Sequence, residues 1–279
     1  MTDYILEITC DAVLEEIVQS RLFLSASTGS VFSDGVVAAY FDTPGDRDAA
    51  ANLLRGLNVA LREVDRERVD WLEAYQQSLE PIVIGERFIV APDAALIGDD
   101  SGRLKIVVPQ EQAFGTGSHE TTALCIEMLE SMDLRGKRGL DVGAGSGILA
   151  IAMHRLDAAK VIAFDNDPDA YGALRDNRIR NDVPDASMPL FIGSIEALRG
   201  GAFDVMTMNI IPEVILPLLA DVVRHLADDA RLLLSGILVV KRDDVVSAAQ
   251  KQALRLVAER EKGEWWAGVF GVRRPQSPL

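Results

Sequence analysis

The chain has 279 residues, 48% of them hydrophobic, so it buries a real core and is not disordered. Its length is that of two domains rather than one. No apolar run reaches the length of a membrane span, and the start Met1-Thr2-Asp3-Tyr4 has no positive region before an apolar stretch, so no signal peptide is predicted. The formal net charge of −15 disfavours a nucleic-acid binder, which normally presents a basic face, and favours a protein or small-molecule partner, a basic one above all. Cys10 and Cys125 lie far apart, lack metal-ligand spacing and are expected as buried free thiols; no metal site is predicted. A cytoplasmic protein is expected.

The first 65 residues predict a small α+β unit. Tyr4–Ile8 has strand character, and Asp11 precedes a helix carrying Val13, Leu14, Ile17, Val18 and Leu22 at helical spacing. Ser33-Asp34-Gly35 is a turn between Ser30–Phe32 and the strand Val36–Phe41. Thr43-Pro44-Gly45 is expected to end that strand, a helix to run roughly from Asp46 to Leu57, and a last strand to follow at Val59–Val64. The order β-α-β-β-α-β is that of a ferredoxin-like fold. This stretch carries eleven acidic and four basic side chains, a net of −7.

A charged helix is predicted from Arg66 to Glu80, with Trp71, Leu72 and Tyr75 on one face, stopped by Pro81. Ile82–Pro92 and Leu104–Val108 are expected as short strands, with residues 98–102 as the turn between them. Residues 66–103 are therefore expected as a connector, and 104–279 as a second domain.

From residue 118 the pattern is strand-helix alternation, the signature of a parallel α/β sheet. Helices are predicted at Glu120–Met132, with Ser118 as N-cap, and at Ile148–Leu156. Another starts at Asp167-Pro168-Asp169, where Asp caps and Pro takes the first helical position. Strands are predicted at 138–142, 161–165, 189–193, 203–208, 231–235, 255–261 and 265–270, the last two as an antiparallel hairpin closing the sheet.

The chemistry-bearing residues fall at the carboxyl ends of these strands. Leu140–Gly147 places Gly143, Gly145 and Gly147 in a βα turn, where the backbone turns tightly and approaches a ligand, and the helix that follows offers free N–H groups. Ile148 stands where a dinucleotide fingerprint has its third glycine, which disfavours NAD and favours S-adenosylmethionine (SAM), with its carboxylate over the turn. Asp141 is expected to orient the turn, to meet the ligand's amino group or to satisfy backbone donors. Asp165 closes the second strand, 18 residues after Gly147, as a ribose-hydroxyl acceptor; Asp167 is the better cap, which leaves Asp165 to the ligand. Asn209 projects toward the same crevice. In Ala113–Thr122, two glycines and clustered hydroxyls predict a loop over the cofactor, with Phe114 as an apolar lid. His119 and Glu120 are weaker candidates for a general base, because a first-turn His or Glu is more often structural.

Together these pieces resemble one family, the ribosomal protein methyltransferases of the PrmA type, which modify protein eleven of the large ribosomal subunit. The resemblance spans nearly the whole chain and is carried by Phe114–Thr122, Asp141–Ala152, Asp165-Asn166-Asp167-Pro168, Asn209-Ile210-Ile211, Asp70-Trp71, Pro81–Gly85 and Leu234-Ser235-Gly236-Ile237-Leu238. It departs at Asn209-Ile210-Ile211-Pro212, where Asn-Ile-Leu-Ala is more usual, and at Val108–Gln112, where an Asp-Pro-Gly run is.

The resemblance implies a ferredoxin-like substrate-recognition domain, a connector, and a class I SAM-dependent methyltransferase domain with a Rossmann-like seven-stranded sheet. It implies SAM contacts at Thr122, Gly143, Asp165 and Asn209, with Gly145 in the same turn. Asn209 and Phe114 would serve the transfer itself. The activity implied is methylation of lysine ε-amines and of the N-terminal α-amine of a ribosomal protein; apart from the resemblance, the acidic charge predicts a basic substrate and no direct nucleic-acid binding, and a monomer is the simpler expectation. The alternatives are a methyltransferase for an amide or nucleobase amine, disfavoured because no aromatic follows Asn209, and a non-catalytic SAM-binding scaffold on the ribosome.

Overall fold

The computed structural model describes residues 2–33, 35–67, 80–98, 102–109 and 119–272. The chain divides into two compact units, Met1–Ala74 and Tyr75–Leu279.

The first unit runs β1 (Thr2–Thr9), α1 (Ala12–Phe23), β2 (Gly29–Ser33), β3 (Val36–Phe41), α2 (Pro44–Leu53) and β4 (Ala60–Glu67). Its sheet has the order β2-β3-β1-β4 with every pair antiparallel, which is the ferredoxin-like arrangement. Leu6, Ile8, Val37, Ala39 and Phe41 from the sheet bury against Val18, Leu22, Ala50 and Leu54 from the helices. Three local expectations are corrected. Thr43-Pro44-Gly45 starts a helix rather than only ending a strand: the Thr43 hydroxyl accepts the Asp46 N–H at 3.2 Å, and Pro44 needs no N–H at the first position. In α1 only Val18 and Leu22 of the predicted face are buried, while Val13 is 85% exposed and Ile17 44%. Finally, β4 continues through Arg66 and Glu67, where a helix was expected to begin; residues 68–79, with Trp71, Leu72 and Tyr75, lie outside the described residues.

The second unit opens with β5 (Ile82–Ile84), β6 (Phe88–Ala91) and β7 (Leu104–Val107). Ile82–Pro92 is thus a hairpin rather than one strand, turning at Gly85, whose φ is +59°. Strand β7 lies parallel to β6, so residues 98–102 belong to a longer connection and not to a hairpin turn. The expected boundary between 103 and 104 falls within this one sheet. Two polar side chains, the half-buried Glu130 and the buried Asn181, fasten it to the rest of the unit. Glu130 accepts the N–H groups of Glu86 (3.1 Å) and Arg87 (2.8 Å). Asn181 mimics a strand, accepting the Val107 N–H at 2.8 Å and donating to the Val107 carbonyl at 2.7 Å.

There follow α3 (Glu120–Glu130), β8 (Arg138–Val142), α4 (Ile148–Arg155), β9 (Lys160–Asp165), α5 (Pro168–Arg180), β10 (Leu190–Ile192), β11 (Phe203–Asn209), α6 (Pro212–Arg224), β12 (Leu226–Leu238), α7 (Arg242–Lys251), β13 (Leu254–Lys262) and β14 (Trp265–Val272). The sheet order is β10-β9-β8-β11-β12-β14-β13. The first five strands are parallel, and β14 is antiparallel to both its neighbours. This is the class I methyltransferase sheet, closed by the expected hairpin. One core packs α3 and α4 on one face, and a second packs α6 and α7 on the other. Strand order reverses between β8 and β11, which opens a crevice at the carboxyl ends of β8, β9 and β11. No helix among the described residues is long and apolar enough to cross a membrane.

Candidate functional site

At that crevice lies a cavity of about 610 Å³, lined by the Gly143 turn, Asp165, Asn209 and Thr122, and by apolar side chains that include Ile148, Phe164, Ile210 and Leu218. The turn is built on positive φ: +67° at Gly143, +53° at Gly145 and +80° at Gly147. L side chains avoid these values, and two of the glycines are also short of space. A Cβ on Gly143 would sit 2.8 Å from Ile210 Cγ2, and one on Gly147 would collide with Leu174.

Gly147 is the N-cap of α4 and has no side chain to cap with. The cap comes from Asp141, one strand back. Its Oδ2 accepts the Ala150 N–H at 3.1 Å and its Oδ1 accepts the Thr207 hydroxyl at 2.6 Å. Asp141 therefore joins β8, β11 and the start of α4. Burial pushes its carboxyl up to about 6, against the pull of these two hydrogen bonds, and the nearby Asp165 charge adds to the rise.

Asp165 lines the cavity and is also engaged within the protein. Its Oδ2 accepts the Gly145 N–H at 2.8 Å and its Oδ1 the Asp167 N–H at 3.0 Å, while Asp167 caps α5 through the Asp169 N–H. A carboxylate oxygen accepts more than one hydrogen bond, so Asp165 both braces the glycine turn and faces the cavity.

Asn209 ends β11. Its Nδ2 donates to Thr122 Oγ1 at 3.5 Å, and its Oδ1 is buried with no hydrogen-bond partner among the described residues. Native interiors pair nearly all such atoms, and Asn209 is among the residues that line the cavity.

The helix carrying Thr122 starts at N-cap His119, not at Ser118: His119 Nδ1 accepts the Thr121 N–H at 3.3 Å and meets the Thr121 hydroxyl at 2.8 Å. The His119 ring packs edge-on against Trp265, with centroids 5.0 Å apart. Neither His119 nor Glu120 lines the cavity. Phe114 and the rest of residues 110–118 lie outside the described residues. Cys125 is buried and its thiol is pushed up to about 12 by burial, whereas Cys10 is only half-buried.

Sequence reading missed Thr207. The signal was present, since Thr207 and Asn209 are polar residues two apart in the stretch 205–209, whose other members are Val, Met and Met, and so share one face. It also missed α6, which supplies Val214, Pro217 and Leu218 to the cavity wall.

Comparison with known proteins agrees with this architecture. The family model described as "Ribosomal protein L11 methyltransferase (PrmA)" matches residues 5–272. A ribosomal protein L11 methyltransferase of Aliivibrio salmonicida is 31% identical over 96% of this chain and 95% of its own length. One from Symbiobacterium thermophilum is 38% identical over 72% of this chain, a match that spans 65% of that relative. Among solved structures, a ribosomal protein L11 methylase from Lactobacillus delbrueckii subsp. bulgaricus aligns at TM-score 0.65 with 25% identity, covering 70% of this chain and all of that one. An M. jannaschii tRNA m1G37 methyltransferase, 13% identical, aligns at TM-score 0.50 over 98% of this chain and shares the fold alone. By the extent of the family match and the full-length similarity to the Aliivibrio protein, the chain belongs to the ribosomal protein L11 methyltransferase (PrmA) family.

Proposed function

We propose that the chain transfers methyl groups from SAM to lysine ε-amines and the N-terminal α-amine of ribosomal protein L11. The observation that carries this reading is Asn209, whose buried Oδ1 has no hydrogen-bond partner among the described residues, in the wall of a cavity shared with the Gly143 turn and Asp165.

The residues present fit SAM. Positive-φ glycines let the backbone approach a carboxylate, Asp165 suits ribose hydroxyls, and the cavity is mostly apolar in wall and polar at a few points. Gly143, Gly145, Asp165, Thr122 and Asn209 would hold it. When bound, SAM supplies an activated methyl on a good leaving group. The protein's own share is alignment and protonation state. An amine attacks only when neutral, and apolar walls such as Ile210 and Ile211 strip water from a lysine and lower its pKa. Asn209 Oδ1 accepts an N–H of that amine and turns its lone pair toward the methyl. Phe114, which lies outside the described residues, keeps the role of apolar lid that the sequence suggests.

The acidic charge of the N-terminal unit supports a role in capturing a basic protein: we assign residues 1–65 to substrate recognition, 66–103 to the connector and 104–279 to methyl transfer. The same charge balance speaks against nucleic-acid binding, and we take the protein to be a cytoplasmic monomer. Incubation with purified L11 and labelled SAM tests the proposal. Label is expected on L11 lysines and on its N-terminus, and label on ribosomal RNA instead would overturn it.

A further inference from the structure

The motif Leu234-Ser235-Gly236-Ile237-Leu238 has no place yet in the reaction, but its geometry is specific. Strand β12 pairs with β14 as far as Leu234 opposite Gly268 and resumes at Ile237 opposite Trp266. Ser235 and Gly236 thus face one residue, a β-bulge, and bulges re-aim what lies beside them. On the other side Ser235 is the register partner of Asn209.

The chain leaving β11 crosses directly over Gly236. A Cβ there would meet the Ile210 backbone, with O at 2.7 Å and C and N at 2.9 Å, and Gly236 itself has a φ of +79°. Backbone atoms, unlike a flexible side-chain tip, do not give way cheaply. The Ile210 side chain also lies close against Gly143, so the residue after Asn209 is in tight contact with two glycines, through its backbone at one and its side chain at the other. Ser235, fully buried, donates through Oγ to the Thr121 carbonyl at 3.4 Å, and Thr122, next along α3, accepts the Asn209 amide. The register, amide partner and exit path of Asn209 are therefore all set at or beside this bulge.

We propose that the Ser235–Gly236 bulge is a positioning element for methyl transfer, with Gly236 as its principal residue. By leaving room for the Ile210 peptide it fixes the direction in which Asn209 presents Oδ1 to the acceptor amine. This rests on the reading of Asn209 given above. A side chain at 236 displaces the Ile210 peptide and swings that acceptor out of line. Of the residues assigned to SAM only Asn209 is displaced, while Gly143, Gly145, Asp165 and Thr122 stay on β8, β9 and α3, so SAM binding suffers less than the transfer step.

The test is a double-mutant cycle with Gly236→Ala and Asn209→Ala, read by kcat on L11 and by SAM affinity from calorimetry. Gly236→Ala is expected to lower kcat about a hundredfold, the cost of roughly an ångström of misplacement, with a far smaller change in SAM affinity. In the Asn209→Ala background the same substitution is expected to cost little, because the group it misdirects is gone. An unchanged kcat, or an equal loss in both backgrounds, overturns the proposal. If Asn209→Ala alone leaves kcat intact, the reading of Asn209 fails and the proposal with it; a Gly236 failure beside an Asn209 loss sinks only the proposal. Should Gly236→Ala melt below the assay temperature, Ser235→Ala, which leaves the Gly236 backbone unaltered, goes through the same cycle under the same two outcomes.

Discussion

Burial holds the Asp141 carboxyl at about 6, whereas its ordinary value is 3.8. The unfolded chain then ionises this group at lower pH than the folded one does. Between the two values the native state binds the extra proton, so stability falls as pH rises through that window and is flat above it. A displacement of this size corresponds to roughly 3 kcal/mol. Asn at 141 keeps the shape and does not titrate. The stability of the wild type relative to Asp141→Asn, from urea midpoints between pH 4 and 8, should fall by about that amount up to pH 6 and then level; a pH-independent difference would refute the assignment. Gly143 makes a simpler residue-scale case. Valine there meets Ile210 at once and must adopt a φ of +67°. SAM binding by Gly143→Val should be undetectable by calorimetry, and undiminished affinity would remove the turn from the site.

Within elements, much was legible because local chemistry and tertiary packing agreed. The strands at Arg138–Val142 and Lys160–Asp165, and the Asp167-Pro168 helix start, stand where periodicity and capping put them. Elements went astray where a long-range partner decided. The sequence left three roles open for Asp141, and only the fold shows that it satisfies the Ala150 N–H; nothing local says that Asp165 braces Gly145 as well as lining the cavity. The α1 stripe failed at Val13 and Ile17 because helical spacing shows a face without showing how much of it the sheet covers. The pairing of β7 was likewise illegible, since Asn181 fastens it from 74 residues away. Asn181→Ala removes hydrogen bonds to both polar groups of Val107 and to the Asn177 carbonyl. Leaving such groups unpaired in a buried site should cost about 2 kcal/mol or more, read as a lower urea midpoint; a loss within about 0.5 kcal/mol, the ordinary range for surface changes, would show that water replaces the latch.

At the scale of the whole molecule, charge is unevenly spread. The first 65 residues hold a net −7 of the chain's −15. If this unit draws in a basic acceptor, KM for L11 should rise steeply with salt while SAM affinity hardly moves, because screening acts on the encounter of two large charged surfaces. A salt-independent KM would place recognition in apolar contacts instead. The crevice itself was largely readable from sequence, since Gly143, Asp165 and Asn209 each follow a strand and the parallel sheet brings strand ends together. The acceptor was not, because a wall of Ile210, Ile211 and Val214 admits many amines. The central claim is that Asn209 aligns an L11 amine for methylation, and the most direct measurement is labelled-methyl transfer to purified L11 by the wild type and by Asn209→Ala at saturating SAM. The account predicts rapid labelling of lysines and of the N-terminus by the wild type, and a kcat lowered about a hundredfold in the variant. Equal labelling by both, or none by the wild type, would contradict it.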